Sequence, residues 1–135
     1  MSQENVEMIR AAMEAWNRGD WDEALKDAAP DFEVDNSSSA GEWRGVHRGP
    51  DQAKRMWEAF LEPWESVRIE VSEFTEANGG VVVTRQKAHF VGRDGIELPG
   101  PTRSGWLWTI RDGKLAHLVI YNDLDEALEA AGLSE

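Results

Sequence analysis

Cysteine is absent from the 135 residues of the chain. This absence excludes disulfides, thiolate metal sites and a cysteine nucleophile. Basic residues are scarce, 14 against 26 acidic ones, which leaves a net charge of −12. A polyphosphate backbone is repelled by such a field, so we expect no nucleic-acid partner. Long apolar runs are missing too, and because a membrane helix needs roughly 18–20 such residues, we expect no membrane partner.

The length and the first residues predict one domain and a cytoplasmic location. A chain of 135 residues is long enough to form a core without disulfide or metal support, so we expect residues 1–135 to form a single domain. The opening segment, MSQENVEMIR, has neither the apolar run nor the basic cluster of a secretory signal.

Tryptophan is the abundant aromatic residue, with seven copies against one tyrosine. Indole rings supply a large rigid apolar area and one hydrogen-bond donor each, which suits ligand walls and interfaces as well as cores. Trp106 and Trp108 lie in GWLWTIRDGKLAHLVIYND (105–123), which alternates on both sides of an Asp112-Gly113 turn. A two-residue loop predicts that Trp108 pairs with His117 and Trp106 with Val119, unless a bulge intervenes. We expect both indoles to face a pocket.

The remaining patterns predict helices first and strands later. Apolar spacing predicts a helix over 3–18 that ends at Gly19. Asp20 and Glu23 resemble a capping box for a second helix, which we expect Pro30 to end. DFEVDN (31–36) alternates as a half-buried strand does.

Gly49-Pro50 begins a third helix that Pro63 closes, four antiparallel strands follow, and a last helix spans 124–131. Strands in a run after helices are typical of an α+β domain, here one curved sheet with the helices on its concave face.

Three segments of this chain, AWNRGDWDEAL, RGPDQAKRMWEAF and TIRDGKLAHLVIYNDLDEALEAAGL, resemble the SnoaL-like branch of the nuclear transport factor 2-like superfamily. The resemblance covers essentially the whole chain and implies a cone: a strongly curved, mainly antiparallel sheet around three helices, with a short C-terminal helix. It also implies a pocket at the open end and a homodimer formed through the outer sheet face. The superfamily hosts polyketide cyclases, ketosteroid isomerases, epoxide hydrolases, dehydratases and non-catalytic modules, so the fold does not decide the reaction.

The resemblance also implies where a catalytic carboxylate would stand, and this chain lacks it at both positions. Relatives often carry an acid at the position of Asn36 on the first strand, or at that of Ile120, just before the tyrosine matched by Tyr121. An amide does not accept a proton at neutral pH, and isoleucine has no polar group. Asn36 does match an asparagine that positions water in the epoxide-hydrolase branch.

Histidine is the other candidate for acid–base chemistry, because its ordinary pKa is near neutrality. His47 precedes the third helix, where the pocket mouth lies in this fold, and is the preferred catalytic candidate beside Asn36. His89 shares its side of a strand with Arg85 and Lys87, which predicts a solvent or dimer face. The three histidines are scattered and no spaced pair predicts a metal site, so we expect neither metal nor cofactor.

Two functions of different classes remain open from the sequence. In the first, the protein binds an apolar cyclic or aromatic small molecule and acts, if it is an enzyme, as a cofactor-independent isomerase, cyclase or hydrolase. The ligand-binding residues would be Trp16, Asn36, Trp57, Trp106, Trp108 and Ile120. In the second, the indoles fill the cone, and the domain is a dimerisation or interaction module. Cavity volume separates the two, because a ligand pocket needs on the order of 300 Å³.

Overall fold

The computed structural model describes residues 3–37, 44–77, 79–99 and 104–133 of the chain. The described helices are α1 (Gln3–Arg18), α2 (Trp21–Ala24), α3 (Pro50–Leu61) and α4 (Leu124–Ala130). The described strands are β1 (Ala28–Asp35), β2 (Val46–Arg48), β3 (Trp64–Ala77), β4 (Val81–Gly92), β5 (Glu97–Pro99), β6 (Ser104–Arg111) and β7 (Lys114–Tyr121).

The sequence predicts where α1, α2 and α3 begin and where α1 ends. Helix α1 buries an apolar stripe and stops before Gly19, whose φ of 73° suits a residue without a Cβ. The Asp20 carboxylate caps α2 by accepting a hydrogen bond from the Glu23 backbone N–H. Pro50 opens α3, which buries Ala53, Met56 and Trp57.

The strands form one curved, mostly antiparallel sheet in the order β2-β1-β7-β6-β4-β3, with β5 paired to β4. Only β1 and β7 run parallel among the described pairs. We call the face that packs against α1 and α3 the inner face; it presents Val82, Trp108 and Leu118. We call the opposite side the outer face; there Val83 and Leu107 pack under α4. The α+β cone predicted from the resemblance is confirmed.

The hairpin between β6 and β7 contains the bulge that decides where the tryptophans point. Asp112 and Gly113 both have positive φ, 56° and 75°, as a tight two-residue turn requires. The register then shifts between Ile110, which pairs with Leu115, and Thr109, which pairs with His117.

The shift leaves Ala116 as the extra residue and moves every later pair by one. Trp106 therefore lies opposite Ile120, and Trp108 lies opposite Leu118. The predicted pairs with Val119 and His117 are wrong, but the expected inner placement of both indoles is right.

Three predicted boundaries also need correction. Pro30 does not end α2, which already stops at Ala24; it lies inside β1, which begins at Ala28. In the residues that the structure describes, five strands follow α3 rather than four, because the short β5 forms next to β4. Helix α4 ends at Ala130, one residue early, with Gly132 at a φ of 79° just beyond.

Candidate functional site

Four indole rings meet on the inner face. The centroid of Trp16 lies 6.4 Å from that of Trp57 and 6.3 Å from that of Trp106, with the rings edge to face in both pairs. Trp106 lies 6.0 Å from Trp108. No member of this group, called the indole cluster below, is more than 7% exposed. The four residues predicted as ligand walls are thus brought together by α1, α3 and β6.

The indole cluster leaves almost no free space between its members. Its four rings line a cavity of about 10 Å³, together with apolar side chains that include Met13, Phe32 and Leu115. Such a volume holds about one water molecule. It is far below the several hundred Å³ of a ligand pocket. In the free protein, therefore, the rings themselves fill this part of the interior.

Buried polar side chains extend the inner face along β4 and β6. Thr84 pairs with Trp106, and Gln86 pairs with Ser104 two register positions further along the same two strands, which is the next position on the inner face. All three polar residues are buried, Thr84 completely. The Ser104 hydroxyl donates a hydrogen bond to the backbone carbonyl of Gln86. Buried polar side chains at core positions form a hydrogen-bond network or mark a binding site.

A directed hydrogen-bond chain links the indole cluster to these residues. The Nε1–H of Trp108 donates to Thr84 Oγ1 at 3.2 Å, and that hydroxyl donates to Gln86 Oε1 at 2.8 Å. An indole nitrogen only donates, so Thr84 Oγ1 is the acceptor in the first bond. The Thr84 hydroxyl also lies 3.4 Å from the backbone carbonyl oxygen of Trp106, a second acceptor for its single proton.

Asn36, directly after the end of β1, and Ile120 of the neighbouring β7 lie in the same region. Asp35 of β1 is in register with Val119 of β7, so the next residues, Asn36 and Ile120, occupy one level of the sheet beside Trp106. Asn36 is 8% exposed, and Ile120 packs against the core. His47 of β2 lies opposite the inward-facing Val34 and is half-buried. The structure thus places both weak catalytic candidates on the inner side.

Ionisable groups do not reach the interior within the part of the chain that the structure describes. Its buried polar residues are Asn36, Thr84, Gln86 and Ser104, all neutral. No three histidine or acidic residues cluster as metal ligands in the same ranges. What these side chains offer a bound molecule is apolar contact, ring contact and neutral hydrogen bonds.

The other titratable candidates lie on the outer side of the sheet. His89 Nε2 is 2.9 Å from Glu70 Oε1, and this hydrogen bond is the main reason that the pKa of Glu70 is below its ordinary value. His117 Nε2 is 3.8 Å from Glu33 Oε1. Tyr121 packs in the outer cluster with α4, and burial, followed by the charge of Asp35, raises its pKa.

Sequence reasoning missed Thr84, Gln86 and Ser104. The signal was present in VVVTRQKAHFV: Thr84 and Gln86 share their side of the strand with Val82 and Ala88. Polar residues at positions that alternation assigns to the core indicate either a hydrogen-bond network or a site. Ser104 gave no such signal, because it begins its strand.

The fold and this neutral, indole-lined interior define the class: a nuclear transport factor 2-like α+β cone. The chain belongs to the SnoaL-like domain family, whose sequence model matches residues 9–118. No curated protein matches the chain. In the described ranges, no helix combines the length and apolar character needed to cross a bilayer.

Solved structures agree on the fold. A nuclear transport factor 2-like protein of unknown function from Burkholderia pseudomallei is 20% identical, with a TM-score of 0.78 over 97% of this chain and 98% of that one. TerC, co-crystallised with polyporic acid, is 22% identical, with a TM-score of 0.79 over 96% and 98%. A proposed polyketide cyclase from Sinorhizobium meliloti is 25% identical, with a TM-score of 0.64 over 84% and 93%.

Proposed function

We propose that the protein binds a planar, mainly apolar small molecule on the inner face, at the level of Asn36, Trp106 and Ile120. The observation that carries the proposal is the row of buried neutral polar side chains beside the indole cluster. Thr84, Gln86 and Ser104 are buried where the two strands need only apolar residues for packing. A few placed polar groups among apolar and aromatic walls are typical of small-molecule sites.

Ring contact favours an aromatic or cyclic ligand. Trp106 is the outermost member of the indole cluster toward the polar row, since Ser104 and Gln86 occupy the next inward-facing position of the two strands. A flat molecule stacked against this ring gains the area and the offset geometry that aromatic pairs prefer. That TerC was co-crystallised with polyporic acid supports small-molecule binding by this fold.

Binding requires the closed interior to open. Because the cavity among the rings has a volume of only about 10 Å³, a ligand enters when side chains around Trp106 turn aside. The rearrangement costs free energy that binding must supply. The observed association constant is therefore the intrinsic one multiplied by the fraction of molecules that are open. We expect ligand exchange to be slow for the same reason.

Binding, rather than proton transfer, is the activity that these residues support. The positions at which the resemblance places carboxylates hold Asn36 and Ile120, and the buried polar groups are neutral. A reaction here would depend on holding a substrate and a water molecule in position, with Asn36 and His47 as the nearest polar candidates. In that case the class is a cofactor-independent isomerase, cyclase or hydrolase.

The small cavity favours one competing function: a dimerisation or interaction module whose interior is permanently filled. The volume of about 10 Å³ is what this alternative predicts. Such a domain would act through its outer face, where we propose that two copies associate. Its interior would stay closed to every small molecule.

The seven tryptophans provide a test without any mutation. We expect 1-indanone, a small planar ketone, to shift the indole N–H signals of Trp16, Trp57, Trp106 and Trp108 in ¹⁵N-labelled protein. Trp64 is the internal control, because it is half-buried outside the indole cluster and packs against Phe90 at 4.8 Å. Trp21, whose ring centroid lies 5.9 Å from that of Trp16 and 5.6 Å from that of Trp57, is expected to shift with the cluster. Saturable shifts confined to these five rings support the proposal, whereas unchanged signals, or shifts of Trp64 alone, support the filled module.

A further inference from the structure

Two indole N–H groups in the indole cluster have no hydrogen-bond partner. Within the described residues, Nε1 of Trp16 and Nε1 of Trp57 are the buried side-chain nitrogen or oxygen atoms left without one. Both residues are 5% exposed. The contrast is Trp108, whose Nε1 donates to Thr84. Polar atoms that are buried and unpaired are rare in folded proteins and call for a physical explanation.

Packing alone does not explain two unpaired donors at these positions. A phenylalanine supplies an aromatic ring without an N–H, and therefore without the cost of burying one. Leaving a buried donor unpaired costs about 1–3 kcal/mol. The two residues that carry these donors come from separate helices, α1 and α3, and both line the same small cavity. Their shared need is an acceptor, because an indole nitrogen donates and never accepts.

The size of the cavity matches a single oxygen atom. A volume of about 10 Å³ admits one group of the size of water. The rings of Trp16 and Trp57 stand at 83° to each other with centroids 6.4 Å apart. The cavity among them is otherwise apolar on the sides of Met13, Phe32 and Leu115. One oxygen that accepts from both rings satisfies both donors at once.

We propose that the ligand carries a carbonyl oxygen, which enters this cavity and accepts hydrogen bonds from the indole N–H groups of Trp16 and Trp57. The inference rests on the proposed function and narrows it from planar apolar molecules to planar ketones and related carbonyl compounds. In the complex, the carbonyl oxygen lies inside the indole cluster, and the ring system that carries it lies between Trp106 and Ile120. A bound water molecule also supplies an acceptor oxygen of this size, and the experiments below distinguish the water molecule from the carbonyl group.

The test compares 1-indanone with indane, which has the same ring skeleton and no oxygen. Dissociation constants of both are measured by calorimetry on the full chain. A purely apolar cavity prefers indane, because the ketone must lose its hydration. We expect 1-indanone to bind at least as tightly as indane, and the Nε1 protons of Trp16 and Trp57 to move downfield only with the ketone.

Matched variants locate the acceptor. Trp16→Phe and Trp57→Phe each remove one unpaired donor, and we expect either to lower the preference for the ketone by about tenfold, in line with one lost hydrogen bond. Trp108→Phe removes the same atoms from a ring whose donor is already paired with Thr84. That control changes both affinities together and leaves their ratio unchanged.

Three other outcomes overturn the inference, and they are distinguishable. If both probes bind and the ratio is the same in all variants, the carbonyl assignment fails while the proposed function stands. If the ratio is unchanged and both indole protons show a nuclear Overhauser effect to water, the acceptor is a resident water. If neither probe binds, the proposed function itself fails. Circular dichroism and the unfolding midpoint establish that each variant is folded.

Discussion

Replacing Trp106 with alanine is expected to lower the free energy of unfolding by about 3–5 kcal/mol, the usual cost of removing a buried tryptophan side chain. The ring is 7% exposed and stands between Trp16 and Trp108, at centroid distances of 6.3 and 6.0 Å. Its loss leaves a cavity where the indole cluster now has almost no free space. Urea unfolding followed by circular dichroism measures the change.

The matched control is the same substitution at Trp64, which is only half-buried near the start of β3. We expect it to cost less than half as much, because less apolar area returns to water when it is removed. Equal losses at the two positions would contradict the packing assigned to the indole cluster. So would a loss below about 1 kcal/mol at Trp106, since a cavity wall that can relax freely has no such cost.

Replacing Thr84 with valine is expected to cost about 2–6 kcal/mol although the two side chains have nearly the same shape. Thr84 is completely buried, accepts from Trp108 Nε1 and donates to Gln86 Oε1. Valine leaves one donor and one acceptor buried without these partners, each at about 1–3 kcal/mol. Denaturant unfolding with an unchanged m-value identifies the loss as one of native stability.

The Thr84→Ser variant separates the contribution of the hydroxyl to stability from that of the methyl group. Serine keeps both hydrogen bonds and removes one methyl, so we expect a loss of about 1 kcal/mol. If the valine variant is as stable as the unchanged protein, and so more stable than the serine variant, then the chain from Trp108 to Gln86 contributes nothing. The polar row would in that case give no support to a binding site.

Local sequence signals were sufficient for the helices and most strands. Gly19, Pro50 and the Asp20 cap act through their own backbone geometry, so their effects can be predicted without knowing the rest of the fold. The prediction that Pro30 ends α2 was wrong because proline interrupts helices but is also tolerated in strands that have an unpaired edge position. Tertiary pairing with β7 decided that case.

The bulge at Ala116 shows why a register is harder to predict than a strand. Nothing in KLAHLVIY indicates an extra residue, yet the shift moves Ile120, rather than Val119, opposite Trp106. The inner placement of the tryptophans follows from burying indole area, which outweighs the ideal pairing of one hairpin. Apolar burial was thus the more reliable guide to the site.

The closed state of the indole cluster was beyond sequence reasoning. The tryptophans predicted as pocket walls are found together. The same residues either line an open pocket or fill it, depending on their rotamers. Whether four rings enclose a cavity of 10 or 300 Å³ depends on how side chains from α1, α3 and β6 interdigitate. The unpaired donors of Trp16 and Trp57 likewise depend on the orientation of each ring.

The most direct test of small-molecule binding on the inner face is an isotope-filtered nuclear Overhauser experiment on ¹³C-labelled protein with 1-indanone. The account predicts contacts from the protons of the probe to the side chains of Ile120 and Met13, which flank the indole cluster. Contacts only to exposed apolar side chains such as Val46, Ile96 and Leu98, or no contacts at saturating probe, would contradict it.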